Sequence, residues 1–443
     1  MKCGFSKKII TPPLGTALVG YYRERLAKGV IDDLYVKAVA FDDGEGKAVV
    51  IEADLCYLTK ESCDQYRKDI AEACQVAEDA VFISCNHTHT GPLISKDFAS
   101  DKEADPGYMA FLRSAVRDVA IYAMEDLKPA RFFVANTEAK GISFVRRYRM
   151  KDGTSKTNPQ PLDPNIDHAW GEPNETLKLL KIVREDADDI FVFNFGTHSD
   201  TINSEYISAD FSAYACAAIE GAIPGTQSVF LLAPQGDVNH HDPSRPKRGH
   251  VISERVEEDP KEKIAHARYM GRVIAGNILA VCDRATEIPA DGIRFGSVEV
   301  EVPSHQENEK LAHAIEINDL YEKYGREELA RIRPGESIAE ARRVIRLQNG
   351  PESFRFSVFA IRLGEFVLAG LPGEPFTAIR NAVDAGTPFE NTMVCALVND
   401  SGGYFPSTAA YSQGGYEAQT SSFGPGTEEI IVDGMIRLLK SLK

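Results

Sequence analysis

Apolar residues along this chain come in two rhythms. Short, nearly unbroken runs at Ala48–Ala53, Ala80–Ser84, Ile190–Phe195, Ser228–Ala233, Glu365–Ala369 and Met393–Val398 predict strands buried on both faces. Longer segments with apolar positions three and four apart predict helices at Glu61–Cys74, Asp105–Met124, Ser212–Ile223, Ile264–Cys282 and Ile430–Leu442. Strands alternating with helices predict an α/β fold, a layered mixed β-sheet core flanked by helices.

Two stretches break this rhythm. Residues 254–349 are charge-rich, and Gln306–Gln348 reads as helical with a turn at Arg333, Pro334 and Gly335. This predicts a helical excursion, a solvated hairpin, a lid or an oligomer contact, inside a single domain spanning 1–443. Arg146–Pro173 is dense in Asn, Asp, Pro and Gly, which predicts a long irregular loop.

The reactive side chains fall directly after the predicted strands. Val81–Ser84 leads into Cys85, Asn86, His87, Thr88, His89, Thr90, Gly91 and Pro92. Neutral imidazole binds zinc well, so two histidines leaving a strand together can supply ligands. Alone, the pair suits a hydrogen-bonded loop equally well. The run Phe191–Phe195 then repeats the arrangement, ending in Gly196, Thr197 and His198, and the repetition favours a metal site. A third strand ends in Asp237, Val238, Asn239, His240 and His241. Neighbouring side chains in extended chain point oppositely, so Asp237 and Asn239 are the candidates there, with His240 and His241 at the rim. A fourth leads through Pro372 and Gly373 to Glu374, a carboxylate suited to complete a histidine site that keeps one position open. The glycine- and tyrosine-rich end from Gly402 to Glu417 predicts a loop over the site. Cys85 alternates with Ile83 and reads as strand packing.

Charge and cysteine content narrow the function. A net charge of -16 over 443 residues argues against nucleic-acid partners, which need clustered Lys and Arg. The eight cysteines lie without a CxxC pair, as expected of reduced thiols. No segment has the length of a membrane span, and no apolar leader opens the chain, so a cytoplasmic protein is expected.

These islands, in this order, resemble the neutral/alkaline ceramidase family. Its His-Thr-His-Ser-Gly-Pro motif is matched at His87–Pro92 with Thr90 for serine, and its second histidine by His198 with Ile207, Ser208, Ala209 and Asp210. Gly236–Val238 matches its Gly-Asp-Val, Pro372–Glu374 its Pro-Gly-Glu, and Tyr411, Tyr416–Glu417, Thr420 and Phe423–Pro425 its tyrosine-rich end. The resemblance implies one Zn²⁺ held by His87, His198, Glu374 and Tyr411. It also implies a substrate pocket that includes Arg146 (or Arg147) and Tyr416. Two departures mark this chain: Asn239 stands where the family has serine, and no C-terminal immunoglobulin-like domain follows, so ceramide itself is not the expected substrate.

The function so implied is hydrolysis of a linear N-acyl amide by zinc-bound hydroxide, on a small amide or lipid-like substrate, in a chain that could form a homo-oligomer. His89 would be the general acid, Asn239 or His89 would assist the oxyanion, and Asp54, Asp210 and Asp237 would orient the ligand imidazoles. Asp210 could equally cap a helix. Competing readings are a metal hydrolase of ester, lactone or phosphate bonds, and an inactive ligand-binding protein.

Overall fold

The computed structural model describes residues 1–21, 23–96, 102–245 and 260–443. Its large sheet uses β1 (Lys2–Ile9), β2 (Tyr35–Asp42), β3 (Lys47–Ala53), β4 (Val81–Cys85), β5 (Lys128–Glu138), β6 (Thr176–Arg184), β7 (Asp189–Phe195) and β8 (Thr226–Leu232). The order across it is β8-β7-β6-β5-β1-β2-β3-β4. Pairs β3–β4 and β7–β8 are parallel, and the pairs between them are antiparallel. A second sheet is built from β9 (Ile293–Pro303), β10 (Ser353–Leu363), β11 (Phe366–Gly370) and β12 (Asn391–Cys395), in that order.

Side-chain alternation explains the continuous apolar runs. In β3, Val49 and Ile51 point into a core shared with helices, whereas Val50 points into a second core against Phe359, Ile361 and Leu368 of the other sheet. Both faces are buried, so the run is almost wholly apolar, and its one carboxylate, Glu52, is paired with Lys37 of β2 at 3.3 Å. The first core is covered by α1 (Lys60–Cys74), α2 (Pro106–Glu125), α3 (Phe211–Ala222) and α4 (Pro260–Val281), through residues such as Ile70, Leu112, Ile219 and Ile274. The outer face of the second sheet is covered by α7 (Thr377–Gly386) and α10 (Thr427–Ser441), through Ile379, Val383, Ile431 and Leu438. The result is four layers, helix–sheet–sheet–helix, and each fully buried aliphatic side chain contributes roughly 1.5–3 kcal/mol. None of the helices among the described residues is long and apolar enough to cross a membrane.

Local signals set the helix ends. Thr59 caps α1 by accepting from Ser62 N, and Asp105 caps α2 by accepting from Tyr108 N with Pro106 in the first turn.

Three expectations need correction. The stretch 146–173 is not irregular throughout: Arg147–Met150, Ser155–Thr157 and Ile166–Ala169 form a small antiparallel sheet. Its turn is made by Asp152, whose carboxylate accepts from Thr154 N at 2.9 Å, and Gly153 at φ 87°. The region 254–349 is not one helical excursion. Residues 254–259 lie outside those described, Pro260–Val281 packs in the main core and Ile293–Pro303 is a sheet strand. The excursion itself is α5 (Leu311–Ile332) and α6 (Ile338–Leu347), joined through Gly335 at φ 89° around a small core of Ile317, Leu329 and Val344. Finally, the predicted strand Met393–Val398 stops at Cys395. Residues 396–399 then cross between the edges of the large sheet, where Ala396 N donates to Leu232 O (2.8 Å) and Asn399 N to Ile83 O (2.9 Å). This crossing carries the ends of β4, β7, β8 and β11 to one place.

Candidate metal centre

His87 follows β4 with a left-handed backbone, φ 67°. Its N–H donates to Leu55 O at 2.9 Å, and its side chain turns inward because Nδ1 donates to Cys56 O at 2.8 Å. His198 follows β7 and is fully buried. Its Nδ1 lies 3.0 Å from both Gln235 O and Val238 O. A carbonyl oxygen only accepts, so in both rings Nδ1 carries a proton and Nε2 is the nitrogen left to meet a metal. Those two nitrogens converge on Glu374 Oε2, at 3.2 Å from His87 and 3.1 Å from His198. Glu374 is delivered by the turn after β11, where Gly373 has φ 60° and a Cβ on it would meet Gly403 O at 2.4 Å.

His89 completes the cluster. Its Nε2 is 3.2 Å from His87 Nε2, and its backbone N–H donates to Ser199 O, joining the loops after β4 and β7. Ser199 Oγ donates back to Asn86 O at 2.6 Å.

Charge in the cluster is strongly coupled. Burial pushes the Glu374 carboxyl up, but the facing His87 charge and the close approach of the His87 and His198 rings outweigh it and hold the group well below the usual carboxylate range. Burial likewise lowers His87, yet Glu374 and Cys56 bring it well above the ordinary imidazole value. His89 is held well below that value by burial and by the His87 charge. His198 is lowered by burial and by Arg146.

The donor set fits a zinc ion. Bonds of about 2.0–2.1 Å at tetrahedral angles separate ligand atoms by about 3.4 Å, within a few tenths of the 3.1 and 3.2 Å found. Glu374 Oε2 is enclosed and makes no hydrogen bond of good geometry, and His87, His198 and Glu374 together could hold an ion.

Of the four expected ligands, the structure brings three together and leaves Tyr411 outside. The Tyr411 hydroxyl donates to Phe423 O at 2.6 Å, and its ring meets His305 edge-on at 5.1 Å. The tyrosine at the cluster is Tyr404. Glu374–Pro375 and Tyr404–Phe405 pair as a short parallel bridge, which puts Tyr404 beside Glu374. Its ring stacks 6.4 Å from that of His198. Burial and the nearby Glu374 charge push its hydroxyl well above the usual phenol value. The signal for it was the Gly402–Gly403 pair, which lets this chain segment close on Gly373.

Arg146 does reach the site. Its Nη1 is 3.2 Å from His198 Nε2, its Nη2 donates to Gly236 O, its Nε lies 2.6 Å from Glu417 Oε1, and its guanidinium covers the Tyr404 ring at 5.3 Å. Arg147 also approaches Glu417, at 3.8 Å. Tyr416 sits one ring further out, edge-on to Tyr404 at 5.8 Å.

The remaining expected residues brace the frame. Asp237 Oδ1 accepts from Thr377 N and Oγ1 at the start of α7, and Asp210 accepts from Ile202 N and caps α3. Asp54 accepts from Tyr35 N and Asn86 Nδ2. None of the three hydrogen-bonds a ligand imidazole; backbone carbonyls do that work, because the Nδ1 atoms face inward onto loop backbone. Asn239 donates to Asn158 Oδ1 and accepts from His241 N, so its amide is engaged with neighbouring loops. His240 and His241 are buried, not at a rim; His240 Nε2 lies 3.6 Å from Asp200 and His241 meets Pro159 O. Cys85 packs in the main core, as expected.

Fold and site together define a four-layer α/β protein with a buried His–His–Glu donor set where its strands end. Solved neutral ceramidases share that architecture. The crystal structure of neutral ceramidase from Pseudomonas aeruginosa matches 100% of this chain and 75% of its own, with a TM-score of 0.71 at 16% identity. A ceramidase complexed with C2 matches to the same extent, with a TM-score of 0.70 at 15% identity. The chain therefore has the neutral-ceramidase fold over its whole length. No protein-family model and no curated protein matches it.

Proposed function

We propose that this chain is a zinc-dependent hydrolase that cleaves a linear N-acyl amide bond, with His87, His198 and Glu374 holding the metal and Tyr404 beside it. The observation that carries this reading is the pair of imidazoles whose Nδ1 protons are spent on backbone carbonyls and whose Nε2 atoms meet Glu374 Oε2 at 3.2 and 3.1 Å. The fold shared with the neutral ceramidases supports the amide class of substrate, a small-molecule or lipid-like N-acyl compound.

Zinc, when bound, supplies a Lewis acid for the carbonyl and makes water acidic enough to attack near neutral pH. The protein's own groups do the rest. His89, kept neutral by burial and by His87, lies 3.2 Å from His87 Nε2, in place to accept a proton from the attacking water and pass it to the leaving amine. The Arg146 guanidinium holds positive charge next to His198, where the carbonyl oxygen gains negative charge. Tyr404, with its raised phenol, stays protonated and can donate to the same oxygen. Asp237 and Asn239 fix the loops on which Arg146 and Glu374 stand. We place the protein in a reducing compartment, the cytoplasm, because all eight cysteines are free and buried thiols.

Metal analysis of purified variants tests the reading. His198→Ala and Glu374→Ala are expected to lose stoichiometric zinc while keeping native circular dichroism, and His89→Ala to keep zinc and lose at least 100-fold in rate on N-acyl amides. Full zinc in both ligand variants would overturn it.

A further inference from the structure

His89 holds an orientation that its side-chain hydrogen bonds do not set. An imidazole is ordinarily aimed by the bond its far nitrogen makes, but the enclosed Nδ1 of His89 has no hydrogen-bond partner among the described residues. The terminal torsion of a histidine is broad and roughly two-fold, so a flip would put a carbon where Nε2 now faces His87 Nε2 at 3.2 Å. Packing has to choose between the two. The packing comes from a hairpin in which Ala17–Leu18 pairs antiparallel with Arg25–Leu26. Its Val19 N donates to Gly91 O in the loop after β4. Next comes Gly20, at φ 106°, where a Cβ would lie 2.7 Å from His89 Cγ and 2.9 Å from its Cα. Tyr21 then sets its ring edge-on to the imidazole, with centroids 5.3 Å apart and planes at 75°.

Resting on the hydrolase reading, in which His89 moves the proton, we propose that Tyr21 is a positioning residue whose ring keeps the His89 imidazole turned with Nε2 toward the metal centre. Tyr21 is itself fixed from two directions. Its hydroxyl donates to Asp200 O, in the loop after β7, at 2.8 Å, and the Arg25 guanidinium lies over its ring at 4.4 Å. Arg25 is 2% exposed and donates from Nη2 to Val19 O at 2.6 Å and to His89 O at 2.7 Å. One side chain thus ties the hairpin to the backbone of His89 and stacks on the ring that orients its imidazole. His89 N donates to Ser199 O, so its backbone is held on both sides and only the ring is left for Tyr21 to place. A misplacement of about 1 Å in a reacting group can cost on the order of 100-fold in rate, so the contact acts on kcat and not on substrate affinity.

Kinetics and crystallography of Tyr21→Leu and Tyr21→Phe test this. Tyr21→Leu is expected to lower kcat on N-acyl amides roughly 10- to 100-fold, with KM and zinc content nearly unchanged. Tyr21→Phe keeps the ring and should restore most of kcat. In a His89→Ala background Tyr21→Leu should add no further loss, because the side chain it positions is gone. A wild-type kcat in Tyr21→Leu, or a full additional loss in the His89→Ala background, would overturn the proposal. Crystal structures of the metal-free variants separate it from the hydrolase reading: His89 is expected to turn away from His87 in Tyr21→Leu and to stay in place in Tyr21→Phe. An unmoved ring in Tyr21→Leu would overturn the positioning role whatever the activity. A displaced His89 in a protein that never turns over an amide would uphold the positioning role and sink the hydrolase reading instead.

Discussion

Arg343, on α6, is fully buried and donates from Nε to the carbonyl oxygen of Gln419 at 2.8 Å. Its other nitrogens reach His305 O and the Glu307 carboxylate. Gln419 belongs to α9 (Tyr416–Thr420), whose Glu417 holds Arg146 against His198. The helical excursion is thus a brace for the segment that borders the metal centre. Arg343→Ala should cost about 2–4 kcal/mol, because buried acceptors are left unpaired. Denaturant unfolding would read that loss, and zinc content should stay at one equivalent; an unchanged midpoint would contradict the bracing role.

Two tyrosines separate by their partners. Tyr404→Phe removes a hydroxyl beside Glu374 and Arg146, so kcat should fall roughly 10- to 100-fold with little change in stability. Tyr411→Phe removes a hydroxyl that bonds Phe423 O and Ser421, so it should cost about 1 kcal/mol and leave kcat unchanged. Parallel kinetics and thermal melts on the two variants check this, and the reverse pattern would return the role to Tyr411.

What could be read from the chain follows from how its positions are buried. The strands β3, β4, β7, β8 and β11 are visible because packing on both faces leaves mostly apolar runs, and His87, His198 and Glu374 follow three of them. The antiparallel strands β5 and β9 leave much of one face exposed, so sequences such as Lys128–Glu138 carry no comparable signal. Tyr404 was hidden because it is placed by a two-residue bridge to Glu374, a contact that neither periodicity nor motif spacing encodes. The imidazole orienters were hidden as well: backbone carbonyls of Cys56, Gln235 and Val238 have no side-chain identity to read.

Glu417 lies fully buried between Arg146 and Arg147, at 2.6 and 3.8 Å. Glu417→Ala leaves two buried guanidinium groups without their carboxylate, and breaking such a pair costs about 3–5 kcal/mol. Glu417→Gln keeps the shape and should recover part of that stability. Calorimetry on the two variants is the check; equal melting temperatures for wild type and Glu417→Ala would show that the arginines find other partners.

Asp32 provides a pH-dependent contribution with a defined sign. Burial raises its carboxyl to about 6, against hydrogen bonds from Ser208 Oγ and Ala209 N that lower it. The folded value exceeds the unfolded one near 3.8, so between these limits the folded protein binds more protons. Its contribution is therefore most favourable below the unfolded value and is lost as pH rises through about 6. The loss is at most roughly 3 kcal/mol for a shift of this size, less with solvent relaxation. Asp32→Asn, which cannot ionise, should gain stability relative to wild type as pH climbs from 4 to 7, about one carboxylate's worth. Unfolding curves at several pH values would test it, and a wild-type-minus-variant difference that stays flat across that window would show that Asp32 ionises normally in the folded protein.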